Sequence, residues 1–88
     1  MEQIGSITTK RASDMLGISP STLRAYGLNM ENLGYNFNII DGARQFTKYD
    51  LQIISDALER FKNVGGTMKQ SLRYAIVKAE QGIEVAET

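Results

Sequence analysis

A short segment in the N-terminal half of the chain carries hydroxyl and guanidinium side chains that suit contacts with nucleic acid. Ser19, Ser21 and Thr22 supply hydroxyl groups, which suit phosphate oxygens, as do the first backbone N–H groups of a helix. Arg24 supplies a planar pair of donors that fits the edge of a guanine base. Tyr26 adds an aromatic ring and a further hydroxyl group. What these side chains can contact depends on the elements that carry them.

Residues for enzymatic or metal chemistry are scarce in this sequence. The chain has no cysteine and no histidine, which excludes disulfide bonds, thiolate and imidazole metal ligands, and nucleophiles activated by histidine. It also lacks a glycine-rich loop of the kind that cradles phosphates. We therefore expect a protein that is not an enzyme and that has no catalytic residues, no metal and no cofactor.

Length and composition indicate one small globular domain. The 88 residues are 42% hydrophobic and 23% charged, which allows a single modest core. No apolar stretch is long enough for a signal peptide or a membrane span, so we expect a cytoplasmic protein without a membrane partner. The net charge is zero, which argues against non-specific binding to nucleic acid through an excess of basic residues.

Apolar spacing predicts a first helix from Thr8 to Leu16, with Thr8 or Thr9 as its cap. Ala12, Met15 and Leu16 share the stripe that is expected to face inward. Lys10 lies at the start of this helix, against the helix dipole, and a neighbouring phosphate would explain that placement. Gly17 then interrupts the helical pattern.

A second helix is predicted from Pro20 to about Leu28, because Ser19 is a good N-cap and proline is tolerated in a first turn. Leu23 can point inward against the first helix, which leaves Tyr26 and the hydroxyl and guanidinium groups outside the core. Two short helices joined by a tight glycine turn form a helix-turn-helix.

A β-hairpin is predicted after a loop over residues 29–34. Apolar residues alternate with polar ones, and Asp41-Gly42 supplies the positive φ that a two-residue type I′ turn requires. Arg44 is expected on the buried face near the tip, where it would project past the edge of the core. The predicted register pairs Ile40 with Ala43, Ile39 with Arg44 and Phe37 with Phe46.

Two longer helices follow the hairpin. Thr47 and Asp50 have the spacing of a capping box, and the apolar pattern after them continues to Gly65-Gly66. A second capping box over residues 67–70 opens a fourth helix, which Gly82 is expected to end. The expected core includes Phe37, Phe46, Leu51, Leu58, Phe61 and Met68.

Residues 1–88 therefore predict a single domain that is mainly α with a small β-hairpin, a winged helix-turn-helix with two further helices. The core is expected to span about residues 7–80. The tail over residues 81–88 is expected to fray or to lead into a coiled coil.

Two strings carry a resemblance to a known family. The string LGISPSTLRAY, from Leu16 to Tyr26, and the string RQFT, from Arg44 into Asp50-Leu51, resemble the DNA-binding domain of the MerR family. Relatives of this domain occur in chromosome-anchoring and plasmid-segregation proteins of the RacA type. The resemblance spans Ile7 to about Lys78.

The resemblance implies a recognition helix in the major groove of DNA and a wing that reaches the flanking backbone or the minor groove. It assigns Arg44 and Lys48 to the wing contacts, and Thr8 to a phosphate. The recognition-helix residues that it implies are Ser19, Ser21, Thr22, Arg24 and Tyr26.

The sequence also departs from the family pattern. Ala25 replaces the first of two tyrosines that commonly follow the recognition arginine, and Gly66 replaces the usual aromatic residue before the fourth helix. The segment from Gly27 to Tyr35 is unusual. We expect no small-molecule effector domain in these residues.

The implied function is sequence-specific binding of double-stranded DNA, as a transcription regulator or as a centromere-binding protein in plasmid or chromosome segregation. We expect a homodimer, paired through the fourth helix or through chain beyond residue 88, at the nucleoid or on a plasmid. Two alternatives stay open: an excisionase-like protein that bends DNA, and a protein-interaction module that uses the same helix and wing.

Overall fold

The computed structural model describes residues 7–87, with side chains through residue 81. Four helices surround one core, and a two-stranded antiparallel hairpin forms the wing, so the predicted winged helix-turn-helix is confirmed. Within residues 7–87, no helix has the length and apolar character needed to cross a bilayer. The elements are α1 (Thr9–Leu16), α2 (Pro20–Asn32), β1 (Asn38–Ile40), β2 (Ala43–Gln45), α3 (Lys48–Val64) and α4 (Met68–Glu87).

Helix α1 has the predicted ends and a different inward face. The Thr8 hydroxyl oxygen accepts the backbone N–H of Arg11 at 3.2 Å, and Gly17 ends the helix with a φ of 72°. Ala12 and Ser13 are buried, whereas Met15 is 55% exposed, so the inward position predicted for Met15 is wrong. The burial of Ser13 leaves no polar atom of its side chain unpaired, because its hydroxyl group donates to the Lys10 carbonyl at 2.8 Å.

Helix α2 continues to Asn32, beyond the end predicted near Leu28, and the loop predicted over residues 29–34 is correspondingly shorter. The helix passes through Gly27, and the Asn29 side-chain amide donates back to a carbonyl one turn earlier. Met30 is fully buried, so packing of this last turn against the core outweighs the weak helix propensity of glycine and asparagine.

The wing has the predicted register. Ile39 pairs with Arg44 and Ile40 with Ala43, and the two turn residues, Asp41 and Gly42, have φ values of 52° and 78°. The ladder ends at Asn38 and Gln45, so it does not include the predicted pair of Phe37 with Phe46, although the two rings pack edge to face with centroids 5.3 Å apart.

One pairing at the base of the wing was not predicted. Ile7 and Phe46 form an isolated antiparallel bridge, with N···O distances of 3.0 and 2.8 Å. The few residues before α1 have no alternating pattern that would indicate a strand. The bridge ties the start of the described chain to the end of the wing.

Helix α3 begins with the predicted capping box. The Asp50 backbone N–H bonds the Thr47 hydroxyl at 3.0 Å, and the Thr47 backbone N–H bonds the Asp50 carboxylate at 2.8 Å. The helix ends at Gly65, as predicted. Phe61 is 45% exposed, so its core assignment is wrong. It lies one turn beyond Ala57, the last fully buried position of α3, where fewer side chains cover the helix.

Helix α4 begins with the second predicted capping box, in which Thr67 and Gln70 exchange bonds of 3.0 and 3.1 Å. The helix continues through Gly82 to Glu87, so the predicted end at Gly82 is wrong. A single glycine inside a helix costs only about 1 kcal/mol, and no proline follows it. The expected fraying concerns residues 81–88, of which Thr88 and the side chains after residue 81 lie outside the described residues.

The core lies where the helices meet. Helix α4 packs against α2 and α3, and α1 packs against α2, α3 and the wing. Three residues predicted as core, Phe37, Leu58 and Met68, are partly buried at its edge. The buried hydrophobic residues are Ala12, Leu23, Tyr26, Met30, Phe46, Leu51, Ile53, Ile54, Ala57, Leu72 and Ala75.

Candidate nucleic-acid interface

The start of α2 presents a capped, hydroxyl-rich turn to solvent. The Ser19 hydroxyl oxygen accepts the Thr22 backbone N–H at 3.1 Å, and the same hydroxyl group donates to the Thr22 side-chain oxygen at 2.9 Å. Pro20 occupies the first turn, where its missing N–H costs nothing. Ser21 and Arg24 are exposed on this helix, as predicted. The cap therefore fixes the direction in which these side chains leave the helix.

Tyr26 does not join these exposed residues. It is only 3% exposed, so its predicted position outside the core is wrong. Leu23, Tyr26 and Met30 follow each other at helical spacing along the inward face of α2, and the predicted helix ended before Met30. Burial raises the pKa of the Tyr26 hydroxyl group. Tyr26 therefore belongs to the core and is not part of the exposed surface of α2.

Arg44 also lies elsewhere than expected. Its guanidinium folds back onto α2 and binds the Glu31 carboxylate through two bonds, Nε to Oε2 at 3.0 Å and Nη2 to Oε1 at 2.9 Å. The Arg44 side chain is 19% exposed and its Cζ atom lies 5.7 Å from the centre of the Phe37 ring. The prediction that Arg44 projects past the core at the wing tip is therefore wrong. The ion pair and the ring hold it down.

Glu31 was missed by sequence reasoning because α2 was expected to end before it. The hydrogen bonds from Arg44 hold the pKa of Glu31 below its usual value. A signal was present in the sequence: Arg24, Gly27 and Glu31 are spaced three and four residues apart, so a longer helix places them on one face.

An open cleft of about 410 Å³ separates α2 from the wing. Arg24 from α2 and Arg44 from β2 both line it, so the structure brings these two predicted residues together. Thr9, at the start of α1, and Ile39, in the wing, also line the cleft. The cleft therefore joins three elements, with Glu31 as its acidic member.

The other predicted residues are exposed but lie outside this cleft. Thr8 is engaged as the cap of α1, and Lys10, in the first turn, lies 3.8 Å from the Asp14 carboxylate. Lys48, the first residue of α3, borders a separate groove beside Met15. The structure thus gathers the recognition-helix residues, apart from Tyr26, and leaves the flanking lysines on neighbouring surfaces.

Apolar residues occupy the end of the wing. Ile39 and Ile40 are 54% and 53% exposed, and Asp41 supplies the charge at the turn. The wing tip therefore exposes apolar surface, whereas Arg44 lies on the side of the hairpin that faces α2.

Comparison with known proteins gives one informative result. The chain matches no protein-family model and no curated protein. It is similar to a solved structure, the crystal structure of HiNmlR, a MerR family regulator lacking the sensor domain, bound to promoter DNA. The two chains are 34% identical over 93% of this chain and 68% of that one, with a TM-score of 0.63. With this identity over most of both chains, and with the winged helix-turn-helix described above, the protein is a member of the MerR family.

Proposed function

We propose that the protein binds double-stranded DNA at specific sequences and acts as a transcription regulator. The observation that carries the proposal is the exposed face of α2, on which Ser21 and Arg24 follow a capped N-terminus beside the wing. Support also comes from HiNmlR, a similar MerR family regulator that is bound to promoter DNA in its crystal structure.

Helix α2 has the features of a helix that enters the major groove. Its first backbone N–H groups and the hydroxyl groups of Ser19 and Thr22 suit phosphate oxygens at the edge of the groove. Arg24 extends from the exposed face and can donate two hydrogen bonds to a guanine. Lys48 and Lys10 suit the flanking phosphates, which position the protein without reading sequence.

The charge balance favours DNA binding that depends on base contacts more than on attraction to the phosphate backbone. Ten basic and ten acidic residues give no net attraction to the phosphate backbone. One domain of this size reads few bases, so we expect two copies to bind a two-fold site, with half-sites about 10 base pairs apart or a multiple of that.

Selection from randomised duplex DNA, followed by sequencing, tests the proposal. We expect the chain to enrich a motif in moderate salt, and R24A to lose the preference at one base pair. Arg73→Ala, which removes an exposed arginine from α4, is the matched control and should enrich the same motif as the wild type.

The form of the enriched motif separates the regulatory role from its relatives. A single two-fold motif supports a regulator. Arrays of adjacent sites would favour a centromere-binding role in segregation, and a strong bend at such arrays would favour an architectural protein. Failure to enrich any motif would overturn the proposal and leave a protein-interaction module as the alternative.

A further inference from the structure

The ion pair between Glu31 and Arg44 joins the end of the recognition helix to the wing. Glu31 lies in the last turn of α2, and Arg44 lies in β2 opposite Ile39. Both carboxylate oxygens are used, at 2.9 and 3.0 Å, and the two side chains are 33% and 19% exposed. A paired geometry with partial burial makes this contact stronger than an ordinary surface ion pair.

The surroundings of Arg44 are shaped to hold it in this position. The Phe37 ring lies beneath the guanidinium, and Gly27 of α2 lies beside it. A Cβ atom at residue 27 would come within 3.0 Å of the Arg44 Nε atom and 3.1 Å of its Cζ atom. Glycine costs a helix interior about 1 kcal/mol, so its presence here is explained by the room that it leaves for the guanidinium.

The same carboxylate changes the charge of the cleft. Arg24 and Arg44 both line it, and together they would form a basic groove, but Glu31 neutralises one of the two. A DNA phosphate that approaches Arg44 must compete with Glu31 for the Nε and Nη2 donors. It also meets the repulsion of the carboxylate itself.

We propose that Glu31 is a positioning residue that determines the specificity of DNA binding. Glu31 keeps Arg44 from binding phosphates and holds the wing against α2. DNA binding then depends on the base contacts made from α2. This inference rests on the proposed function. If the ion pair only holds the wing against α2, its loss should weaken the binding of every duplex and leave the salt dependence unchanged.

Measurement of DNA affinity against salt concentration distinguishes the two roles. The probes are the duplex motif enriched by the wild type and a scrambled duplex of the same composition. Glu31→Gln should release Arg44 to one phosphate per protomer, which steepens the slope of log K against log salt by about 0.9. Affinity for the scrambled duplex should rise several-fold in low salt, and the ratio of specific to non-specific affinity should fall.

Two control variants separate the release of Arg44 from a simple change of charge. Glu59→Gln removes a negative charge from an exposed site on α3 and should leave the slope unchanged. E31Q in an R44Q background should also leave the slope unchanged, because the released cation is gone. Thermal unfolding followed by circular dichroism checks that each variant is folded.

The outcomes are distinct. A wild type that enriches a motif, together with an E31Q slope equal to that of the wild type, overturns the inference and leaves the proposed function intact. Weaker binding of both duplexes by E31Q at an unchanged slope overturns it as well, since that is the structural role. A wild type that enriches no motif overturns both. If E31Q does not fold, Glu31→Asp keeps the charge and is too short to hold both bonds. Its slope should steepen by less than about 0.9, because the retained carboxylate still repels phosphate, and an unchanged slope counts against the inference.

Discussion

The Tyr35 hydroxyl group donates a hydrogen bond to one oxygen of the Asp50 carboxylate, and the other oxygen accepts the backbone N–H of Thr47. The bond links the chain that enters the wing to the start of α3, where the chain leaves the wing. Asp50 is buried, so both of its oxygens are paired as burial demands. The base of the wing is therefore fixed by a carboxylate that also caps a helix.

Removal of this carboxylate should be costly. We expect Asp50→Ala to lower the free energy of unfolding by about 1–3 kcal/mol, because it breaks the capping box and leaves the Tyr35 hydroxyl group without its acceptor. Urea unfolding measures the change. Asp56→Ala, which removes a carboxylate that lies 3.9 Å from Lys78 at the surface, should cost less than about 1 kcal/mol. Equal losses in the two variants would contradict this account of Asp50.

Tyr35 should make stability fall in alkali. Burial and the bond to Asp50 raise its pKa above the usual value of 10.0, so the folded state keeps a proton that the unfolded state loses. Its contribution is complete below pH 10.0 and is lost as the pH rises through the folded-state pKa. Tyr35→Phe should cost about 1 kcal/mol at neutral pH and should lessen the alkaline loss.

The raised pKa of Tyr26 has the same sign, so part of the alkaline loss should persist in Tyr35→Phe. Urea unfolding of the wild type and the variant between neutral pH and pH 11, about one unit above the usual tyrosine pKa, measures the difference. The assignment would be wrong if the two proteins lost stability in parallel.

Ser19 allows helix capping to be separated from DNA contact. Aspartate caps a helix as well as serine does, so Ser19→Asp should retain stability to within about 0.5 kcal/mol. Its negative charge should weaken DNA binding by about 1 kcal/mol or more if a phosphate lies near the start of α2. Ser19→Ala provides the opposite case, since it loses about 1 kcal/mol of stability without adding a charge. Unchanged DNA affinity in Ser19→Asp would mean that no phosphate lies near the start of α2.

Arg24 and Lys48 should contribute to DNA binding in different ways. Arg24→Ala should lose about 1–3 kcal/mol at one base pair, because it removes a contact to a base edge. Lys48→Ala should weaken all duplexes alike and reduce the salt slope by about 1. Titration of single-base variants of the enriched motif, at several salt concentrations, separates these effects. If Arg24→Ala kept both affinity and base preference, the proposed orientation of α2 would be incorrect.

The effect of substituting Gly27 on stability should depend on whether Arg44 is present. In the wild type, the added Cβ atom of Gly27→Ala meets the guanidinium and offsets the gain in helix propensity. In an Arg44→Ala background, the same substitution should stabilise the protein by about 0.5–1 kcal/mol. Urea unfolding of the four proteins gives the coupling between the two positions. The same effect in both backgrounds would mean that the guanidinium does not restrict residue 27.

Local chemistry made much of this fold predictable. The cap at Thr8, the two capping boxes and the Asp41-Gly42 turn depend on residues within a few positions of each other, and each was found as expected. The register of the wing follows from its turn and was also correct. Rules that act over a few residues were therefore sufficient wherever no distant contact intervened.

The errors arose where tertiary contacts decide the outcome. The predicted end of α2 is too early because residues 29–34 have the composition of a loop, and the burial of Met30 explains why the helix continues to Asn32. Tyr26, predicted outside the core, is buried, and Met15, predicted inside, is exposed. The inward faces of the two short helices depend on how the helices pack together. Within the candidate site, Arg24 was predictable from its own helix, whereas the Glu31 partner of Arg44 was not.

The end of the wing carries no part of the core. Ile39, Ile40, Asp41 and Gly42 are all exposed, and the hairpin is anchored below them by Phe37, Phe46 and Arg44. Substitutions of Ile39 or Ile40 that keep the Asp41-Gly42 turn should therefore leave the buried scaffold intact. The two exposed isoleucines are thus positions at which the surface of the wing can diversify during evolution while the helices keep their packing.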